Sequence, residues 1–263
     1  MNLGGRSVLL TGATGGIGGA AARALAARGA TLILTGRRAE PLAALAAEIG
    51  GRAIATDLSE PGGPAALLAE AGDVDVLVAN AALPASGELT SFSPEEIDRA
   101  LAVNLRAPIM LARLLAPELI ARGSGHLVFV SSLAGKSAGP QSSLYSGTKF
   151  GLRGFSLGLR QDLAEHGVGV SCVLPGFIRD AGMFADSGAK LPAGVGTSTP
   201  DDVAAGIVRA IERDRAEVDV APLGVRAGAG LGGFAPAFSA SVQRRLGANK
   251  VARAIGAGQR DKR

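Results

Sequence analysis

The feature that most restricts the fold of this chain is a regular alternation of short apolar runs with longer alanine-rich helical segments. Ser7–Leu10 and Thr31–Thr35 are the first two runs, and a helical pattern over Ile17–Arg28 lies between them. Several runs are apolar on both faces, as strands are when helices cover both sides of a parallel sheet. Further strands are predicted at Arg52–Thr56, Asp75–Ala79, Gly125–Ser131, Val168–Leu174 and Glu217–Ala221. The alternation predicts the α/β class, with a doubly wound, mostly parallel sheet of about seven strands in a three-layer α/β/α arrangement.

Composition adds limits on size and location. The 263 residues suit one medium domain, and an apolar content of 47% is enough for a large core. No uninterrupted apolar stretch of about 18 residues occurs, so no membrane span is predicted. Residues 1–6 lack the layout of a signal peptide, so we expect a cytoplasmic protein. Cys172 is the single cysteine and there are two histidines, so we predict no internal disulfide and no bound metal.

Charge is distributed unevenly along the chain. Residues 226–263 hold eight lysines and arginines against one acid, whereas residues 1–225 hold 19 against 22. The body therefore lacks the basic face that nucleic-acid binding would favour, and no nucleic-acid partner is expected. From Gly224 the composition shifts to glycine, alanine and arginine. We predict one domain over residues 1–223 and a basic, glycine- and alanine-rich tail of doubtful order over residues 224–263.

A glycine-rich segment, Thr11-Gly-Ala-Thr-Gly-Gly-Ile-Gly18, joins the first predicted strand to the first helix. Glycine lets the backbone turn sharply and approach a ligand, and a helix N-terminus offers free N–H groups and a positive dipole end to a pyrophosphate. The alternative is a tight turn without a ligand, but the position at the first strand–helix junction favours dinucleotide binding. The predicted ligand contacts in this loop are Gly12, Thr14, Gly16, Ile17 and Gly18.

Tyr145 and Lys149 are four residues apart, on one face of a predicted helix, and Tyr145 is the only tyrosine. A phenol with a pKa near 10 is a poor acid–base group at neutral pH. A neighbouring ammonium, together with a positively charged nicotinamide ring, is expected to lower the pKa of the phenol. The pair suits proton donation to a carbonyl that receives a hydride. Taken alone, such a pair also arises by chance on helices.

Two further polar residues accompany this pair. Ser132 ends the fifth predicted strand, where its hydroxyl could orient a substrate carbonyl or, alternatively, cap a turn. Asn104 lies in an otherwise apolar stripe of a helix predicted to start at Pro94, and a buried amide needs hydrogen-bond partners. Because Pro108 has no N–H, the Asn104 carbonyl would lack its partner within the helix. The alternative is a core amide bonded to neighbouring backbone.

The Gly-x-x-x-Gly-x-Gly spacing of the loop resembles the short-chain dehydrogenase/reductase family, in its branch of single domains. The order Asn104, Ser132, Tyr145, Lys149 is similar to the catalytic tetrad of that family. The resemblance runs from about Gly5 to Pro222 and implies a Rossmann sheet and an NAD(P)-dependent oxidoreductase that interconverts a ketone and a secondary alcohol. It further implies that Asn104 holds a water that relays protons to Lys149, and that Lys149 and Tyr145 also contact the cofactor.

The resemblance also implies a cofactor preference. An NAD site places an acid at the end of the second strand, where this chain has Gly36 followed by Arg37. A guanidinium can bind a 2′-phosphate in a bidentate manner, so NADP(H) is favoured over NAD(H), unless Arg37 and Arg38 merely face solvent at a helix start. The other cofactor contacts implied are Asp57, Leu58, Asn80, Pro175 and Ile178. The chain departs from the family at Ala82, usually glycine, and at Asp180, often threonine.

Residues 183–200 lie where the family carries its substrate lid, and their apolar members point to an apolar carbonyl compound; a plain surface loop is the alternative. In the tail, Phe234, Phe238, Val242 and Leu246 run near helical spacing beside two arginines. Such a stripe usually docks on the parent domain or a partner subunit, and contact with an anionic membrane surface is the lesser alternative. By resemblance we expect a homodimer or homotetramer.

The sequence thus predicts an NADP(H)-preferring oxidoreductase, acting by carbonyl reduction of an apolar small-molecule substrate. The runner-up is a non-catalytic NADP-binding sensor, or a protein whose tail contacts a membrane or a partner. The intact tetrad favours the enzyme, since binding alone needs neither Ser132 nor Tyr145.

Overall fold

The computed structural model describes residues 1–192, 194–245 and 247–262. Its seven strands form one parallel sheet in the order β3-β2-β1-β4-β5-β6-β7. The strands are β1 Ser7–Thr11, β2 Thr31–Gly36, β3 Arg52–Ala55, β4 Val76–Ala79, β5 Gly125–Val130, β6 Val168–Pro175 and β7 Glu217–Val220. All seven predicted strands are confirmed to within one residue at either end, and the order reverses between β1 and β4, where doubly wound sheets bind ligands.

Helices cover both faces of the sheet. They are α1 Gly16–Ala26, α2 Ala39–Ile49, α3 Gly63–Ala71, α4 Pro94–Leu101, α5 Ala107–Arg122, α6 Ser143–Asp162, α7 Met183–Asp186, α8 Pro200–Glu212, α9 Leu223–Phe234, α10 Pro236–Arg245 and α11 Ala248–Gly258. Successive strand residues belong to different cores. Leu10 packs with residues of α1, α2 and α8, whereas Leu9 packs with residues of α3, α5 and α6. This double burial explains why the strands are apolar on both faces.

The helix that carries Asn104 is not continuous. Ser93 and Glu96 cap the start of α4 reciprocally, as the sequence predicts, but a five-residue π-helical turn over Ala102–Arg106 separates α4 from α5. Pro108 has no N–H to give the Asn104 carbonyl, and the Ala107 N–H instead donates to the Ala102 carbonyl, five residues back. Leu101, the last residue of α4 before this turn, is exposed.

One helical stretch among the described residues, Pro94–Arg122, is long and apolar enough to cross a membrane on length and mean hydropathy. Its α5 part is buried along one side, where Leu111, Leu115 and Leu119 pack against the sheet. This packing is that of a core helix.

The C-terminal segment forms helices where composition left its order in doubt. Ala229 and Gly232 face the body on α9, and Ala229 joins a small core with Leu133 and Leu174. Phe234 is 91% exposed and Phe238 is 59% exposed, so the expected docking of this stripe on the parent domain is wrong for both residues. Leu246, the last member of the predicted stripe, lies outside the described residues.

Candidate functional site

The glycine-rich loop is built so that only glycine fits at its turning points. Gly12 has φ +66°, and a Cβ there would lie 2.8 Å from the Ala81 Cα. A Cβ on Gly18 would overlap the Gly12 carbonyl oxygen and lie 2.8 Å from the Ala13 Cα. Helix α1 starts at Gly16 behind Gly15, which has no side chain to occupy the free N–H groups of the first turn. The loop therefore presents a bare helix N-terminus of the kind that binds a pyrophosphate.

Asn80 holds the ends of two neighbouring strands together. Its Nδ2 donates to the carbonyls of Thr11 and Gly12, at 3.1 and 3.2 Å. Its backbone N–H and that of Ala81 donate to the Thr11 hydroxyl, at 3.0 and 2.9 Å. Asn80 thus fixes the backbone on which the glycine loop turns. Ala82, which departs from the family pattern, does not need the left-handed conformation that would require glycine.

The two arginines after β2 have different surroundings. Arg38 donates to the Thr14 carbonyl at 3.1 Å, whereas Arg37 is exposed and makes no hydrogen bond or ion pair within the described residues. Asp57 accepts hydrogen bonds from the N–H and hydroxyl of Ser59. Burial acts to raise the pKa of Asp57, but the Ser59 hydrogen bonds and the charges of Arg37 and Arg99 bring it below its usual value. Arg37 is therefore a free cation beside the loop, and Asp57 an ionised carboxylate. Next to it, Leu58 is buried.

Helix α6 brings Tyr145 and Lys149 to the carboxyl end of the sheet. The Lys149 Nζ lies 5.7 Å from the centre of the Tyr145 ring and donates to the Val130 carbonyl at 3.0 Å. The Ser131 hydroxyl in turn donates to the Lys149 carbonyl at 2.9 Å. Lys149 is almost fully buried, and burial lowers its pKa to about 8. The ammonium is thus predominantly protonated at neutral pH.

The predicted lowering of the Tyr145 pKa counted a positively charged nicotinamide ring beside the phenol, whereas the protein's own groups shift the pKa in the other direction. Burial of the phenol raises its pKa, and the hydrogen bond with the Ser132 hydroxyl offsets this only in part. Within the protein, the loss of solvent around the phenol outweighs the groups that lower its pKa, and the lowering by a bound nicotinamide ring stays a prediction. Tyr145 is therefore protonated at neutral pH, in the form that donates a proton.

Ser132 combines the two roles that its sequence position allowed. Its hydroxyl accepts from the Ala134 N–H at 3.1 Å, capping a short 3₁₀ turn over Leu133–Gly135. The same hydroxyl donates to the Pro175 carbonyl at 3.3 Å and hydrogen-bonds Tyr145. The cap fixes the serine at the position where it reaches the tyrosine.

Asn104 is fully buried and pairs with the backbone of one residue. Its Oδ1 accepts from the Leu83 N–H at 2.7 Å, and its Nδ2 donates to the Leu83 carbonyl at 3.0 Å. The Asn104 side chain is therefore a core amide bonded to neighbouring backbone, which was the alternative given by the sequence. Its position in a π-helical turn is typical of functional sites, because such a turn disturbs the regular hydrogen bonds of a helix.

The segment after β6 crosses the front of the glycine loop. Ile178 is buried and bridges to Ser198, while Asp180 has φ +72° and is 64% exposed, with Arg179 at 3.5 Å. The next residue, Ala181, packs so closely on Gly16 that any Cβ at Gly16 would collide with it. The exposure of Asp180 and its arginine partner reduce the repulsion that a carboxylate would exert on nearby phosphates.

Sequence reasoning missed the C-terminal helix as part of this region. Gln259 is 3% exposed, and its Nε2 donates to the Met183 carbonyl at 2.9 Å, in the predicted lid. A Cβ on Gly258 would lie 2.7 Å from the Ser187 Cα. The signal available in the sequence was the pair of glycines at 256 and 258 near the end of an amphipathic helix, and it does not say what the helix packs against.

The described residues contain no group of three or more histidine, cysteine, aspartate or glutamate side chains placed to hold a metal ion. The donors that the site does present are backbone N–H groups, arginine and lysine, which fit a phosphate-bearing dinucleotide. Gly12 and Gly18 support the same fit, because a side chain at either position would collide with neighbouring backbone and push the loop out of this turn.

Comparison with known proteins gives three consistent findings. The sequence model of the family described as short chain dehydrogenase matches residues 6–191. The ketoacyl reductase HetN of Nostoc sp. is 39% identical over 225 residues, covering 82% of this chain and 78% of that protein. A short-chain dehydrogenase from Sphingobium yanoikuyae in complex with NADPH has 30% identity and a TM-score of 0.77, covering 89% of this chain and 95% of that one.

A third relative was solved with the other nicotinamide cofactor. The 3-ketoacyl-(acyl-carrier-protein) reductase from Brucella melitensis, complexed with NADH, has 27% identity and a TM-score of 0.73. The match covers 82% of this chain and 98% of that one. The two solved structures thus both contain a nicotinamide cofactor and differ in which one is bound.

Proposed function

Since the chain belongs to the short-chain dehydrogenase/reductase family, we propose that it is an NADP(H)-preferring oxidoreductase that reduces an apolar ketone to a secondary alcohol. The observation that carries the proposal is the meeting of Ser132, Tyr145 and Lys149 at the carboxyl end of the sheet, beside a glycine loop with a bare helix N-terminus. A domain over residues 1–223 that carries the four tetrad residues, followed by a tail over residues 224–263, is part of the proposal, as is a cytoplasmic location.

When bound at the glycine loop, a reduced nicotinamide would supply a hydride to the carbonyl carbon of the ketone. Tyr145 donates its phenolic proton to the carbonyl oxygen, and its raised pKa keeps that proton in place at neutral pH. Ser132 donates a hydrogen bond that orients the carbonyl. Lys149 binds the ribose and stabilises the phenolate that forms, and a water held at Asn104 returns a proton toward Lys149. One ketone, one hydride and one proton give one alcohol.

The preference for NADP(H) rests on Arg37. It is exposed and has no hydrogen bond or ion pair in the described part of the chain, so it can bind a 2′-phosphate without losing another contact. Arg38 is held by the Thr14 carbonyl and fixes the loop beside it. An acid that would repel the phosphate is absent from positions 36 and 37.

The cofactor proposal is tested by titrating the protein with NADPH and with NADH and following nicotinamide emission, for which a chain without tryptophan gives a low background. We expect NADPH to bind at least about tenfold more tightly, and Arg37→Ala to remove that difference. Equal binding of both cofactors by the wild type would overturn the role of Arg37 and leave the enzyme proposal standing.

The chemical proposal is tested by Tyr145→Phe, with NADPH consumption measured over a panel of apolar ketones. Removing the proton donor should reduce turnover by about a thousandfold or more, while NADPH affinity stays within about twofold. Turnover retained in this variant would contradict the role of Tyr145. A wild type that binds NADPH and reduces no ketone on the panel would favour the non-catalytic sensor.

We propose that the chain assembles as a homodimer or homotetramer. Leu114 on α5 and Phe150 on α6 are large apolar side chains left exposed on the two long helices by which members of the family usually pair. Sedimentation velocity of the wild type and of Leu114→Glu tests this, because a charge in that contact should shift the mass toward the monomer.

A second candidate function is contact of the tail with an anionic membrane surface. Phe238, Val242 and Arg245 share one face of α10 by their spacing, and Phe234 points away from the body on α9. Residues 235–245 carry two arginines and no acid, so a contact between two copies of this segment would bring like charges together, whereas an anionic surface would not.

Co-sedimentation with phosphatidylglycerol vesicles and with phosphatidylcholine vesicles tests this second function. We expect binding to the anionic vesicles alone, its loss in Phe234→Ser/Phe238→Ser, and its retention in Phe150→Ser, which removes an exposed aromatic elsewhere. Equal recovery of all three proteins would remove the membrane from consideration.

A further inference from the structure

The C-terminal helix α11 connects two segments that lie far apart in sequence and flank the proposed site. Near its end, Gly256 is buried against the Ser86–Gly87 loop and Gln141, with a Cβ there meeting the Gly87 Cα at 3.2 Å. Two residues on, Gly258 lies against Ser187, in the segment that follows α7. Gly258 permits a backbone approach that a side chain would prevent, and a side chain at Gly256 would require the neighbouring loop to move by a few tenths of an ångström.

The first of these segments leads directly to the reacting tyrosine. The Gly87 N–H donates to the Gln141 carbonyl at 2.7 Å, and the Tyr145 N–H donates to the Ala85 carbonyl at 3.2 Å. The loop after β4 is therefore tied both to the start of α6 and to Tyr145. Because Gly256 packs on that loop, one edge of α11 lies beside the tyrosine end of the cleft.

The second segment leads to the glycine loop. Helix α7 follows Ala181, which packs on Gly16. Gln259 then joins α7 to the C-terminal helix through the Met183 carbonyl. These contacts link four segments around the carboxyl ends of the central strands: the glycine loop, α7, α11 and the Ser86–Gly87 loop.

Only one of the two polar atoms of the Gln259 amide has a hydrogen-bond partner among the described residues. A carbonyl oxygen needs a donor, so the contact with Met183 fixes the Nε2 on that side and leaves the Oε1 on the other. The Oε1 is buried and has no hydrogen-bond partner among the described residues. A buried acceptor of this kind lies against ordered water or a ligand in place of packed core.

We propose that α11 closes the substrate side of the active site, and that Gln259 is a positioning residue that holds α7 in place through the Met183 carbonyl. Ala252, Ile255 and Gly256 are less exposed than most of their neighbours on α11, so the face that this helix turns toward the body is apolar, which suits an apolar ketone. This inference rests on the proposed function for the identity of the substrate, but the contact between α11 and α7 can be measured without turnover.

Three variants separate the contact from general effects on the tail. Gly258→Ala pushes a methyl group into the Ser187 backbone, and Gln259→Glu keeps the shape of the side chain while removing the donor to Met183. Gly228→Ala is the matched control, since a Cβ there meets nothing within 4 Å. Hydrogen exchange of the amides at residues 183–187 is measured first, in the cofactor-free protein, and steady-state kinetics with NADPH and ketones follow.

We expect both site variants to speed exchange at residues 183–187 and to raise the KM for the ketone by about tenfold. The fall in kcat should be smaller, the Kd of NADPH should stay within about twofold, and the control should behave as wild type. Unchanged exchange and an unchanged KM in both site variants would overturn the inference. Faster exchange in a protein that reduces no ketone would support the contact and refute the proposed function alone.

Discussion

The carboxyl ends of the central strands and the C-terminal helices are both rich in glycine, but they use it differently. In the strand-end loop, Gly12 and Gly18 sit against backbone atoms within 3 Å of where a Cβ would be. In α9, Gly228 and Gly230 have open space around them. The aromatic residues differ in the same way, with Phe129 fully buried in β5 and Phe234 almost fully exposed.

The contrast shows that residue type alone does not report how tightly a segment is constrained. In the sheet, two layers of helices surround every strand, so each side chain has a defined neighbour. Helices α9 and α10 contact the body through the side that holds Ala229, Gly232 and Gln243, and α11 contacts it near Gly256 and Gln259. The outer face of α9 and α10 is therefore free to change, and the inner face is not.

The sharpest test of the contrast compares two phenylalanines. Phe129→Ala should lower the free energy of unfolding by about 3–5 kcal/mol, because it removes a fully buried ring that packs edge-on against Phe155. Phe234→Ala removes a side chain that is already in solvent and should change it by less than about 0.5 kcal/mol. Urea unfolding of both variants measures the difference. Similar losses would mean that Phe234 is covered in solution, by a second copy for example.

The next test asks whether a buried histidine in the sheet makes the protein less stable in acid. His126 in β5 is 1% exposed, and burial lowers its pKa to about 4, although Asp214 acts in the opposite direction. Below pH 6.5 the histidine is protonated in the unfolded chain but stays neutral in the folded protein. The free energy of unfolding should therefore fall by up to about 3 kcal/mol between pH 6.5 and about 4.

His126→Gln provides the control for that test. Glutamine does not titrate and can keep a hydrogen bond to Ser171, which lies 2.9 Å from the histidine Nε2. The variant should lose most of the pH dependence of urea unfolding in this window, and the remaining slope should come from carboxylates with lowered pKa values, such as Asp57 and Glu217. A variant as acid-sensitive as the wild type would place the effect elsewhere.

The smallest effects come from the same substitution made in both regions. Gly18→Ala should lower the free energy of unfolding by about 1–3 kcal/mol and weaken NADPH binding, because the added methyl group meets the Gly12 carbonyl and the Ala13 Cα. Gly228→Ala should raise it by up to about 1 kcal/mol, since alanine is the better helix former and has room. Calorimetry of both variants measures the two changes in the free energy of unfolding. Changes of the same sign would contradict the comparison.

Much of the fold was predictable from the sequence. The seven strands were located to within one residue because double-sided burial leaves a local apolar signature. The helix start at Pro94 followed from its capping residues. The π-helical turn after Leu101 was not predicted, although Pro108 gave a reason for it. A proline leaves one carbonyl without its N–H partner, but it does not determine whether the helix simply loses that hydrogen bond or forms a wider turn.

The sequence predicted which residues form the candidate site, but it did not predict how burial shifts their pKa values. Asn104, Ser132, Tyr145 and Lys149 could be named because motif spacing is a property of the chain, but their roles remain predictions. The direction in which the protein itself shifts the Tyr145 pKa was not predicted, because it depends on how much solvent the surrounding segments remove from the phenol. No spacing rule contains that quantity.

By itself, the sequence determined the α/β class, the strand positions, the dinucleotide loop and the order of the four polar residues. Each of these follows from patterns within a few tens of residues, where periodicity and backbone preference act. The tertiary structure alone decided that Leu83 holds Asn104, that Ala181 covers Gly16 and that Gln259 reaches Met183. These contacts join segments up to 165 residues apart, and they depend on how the layers pack against each other, which no local pattern encodes.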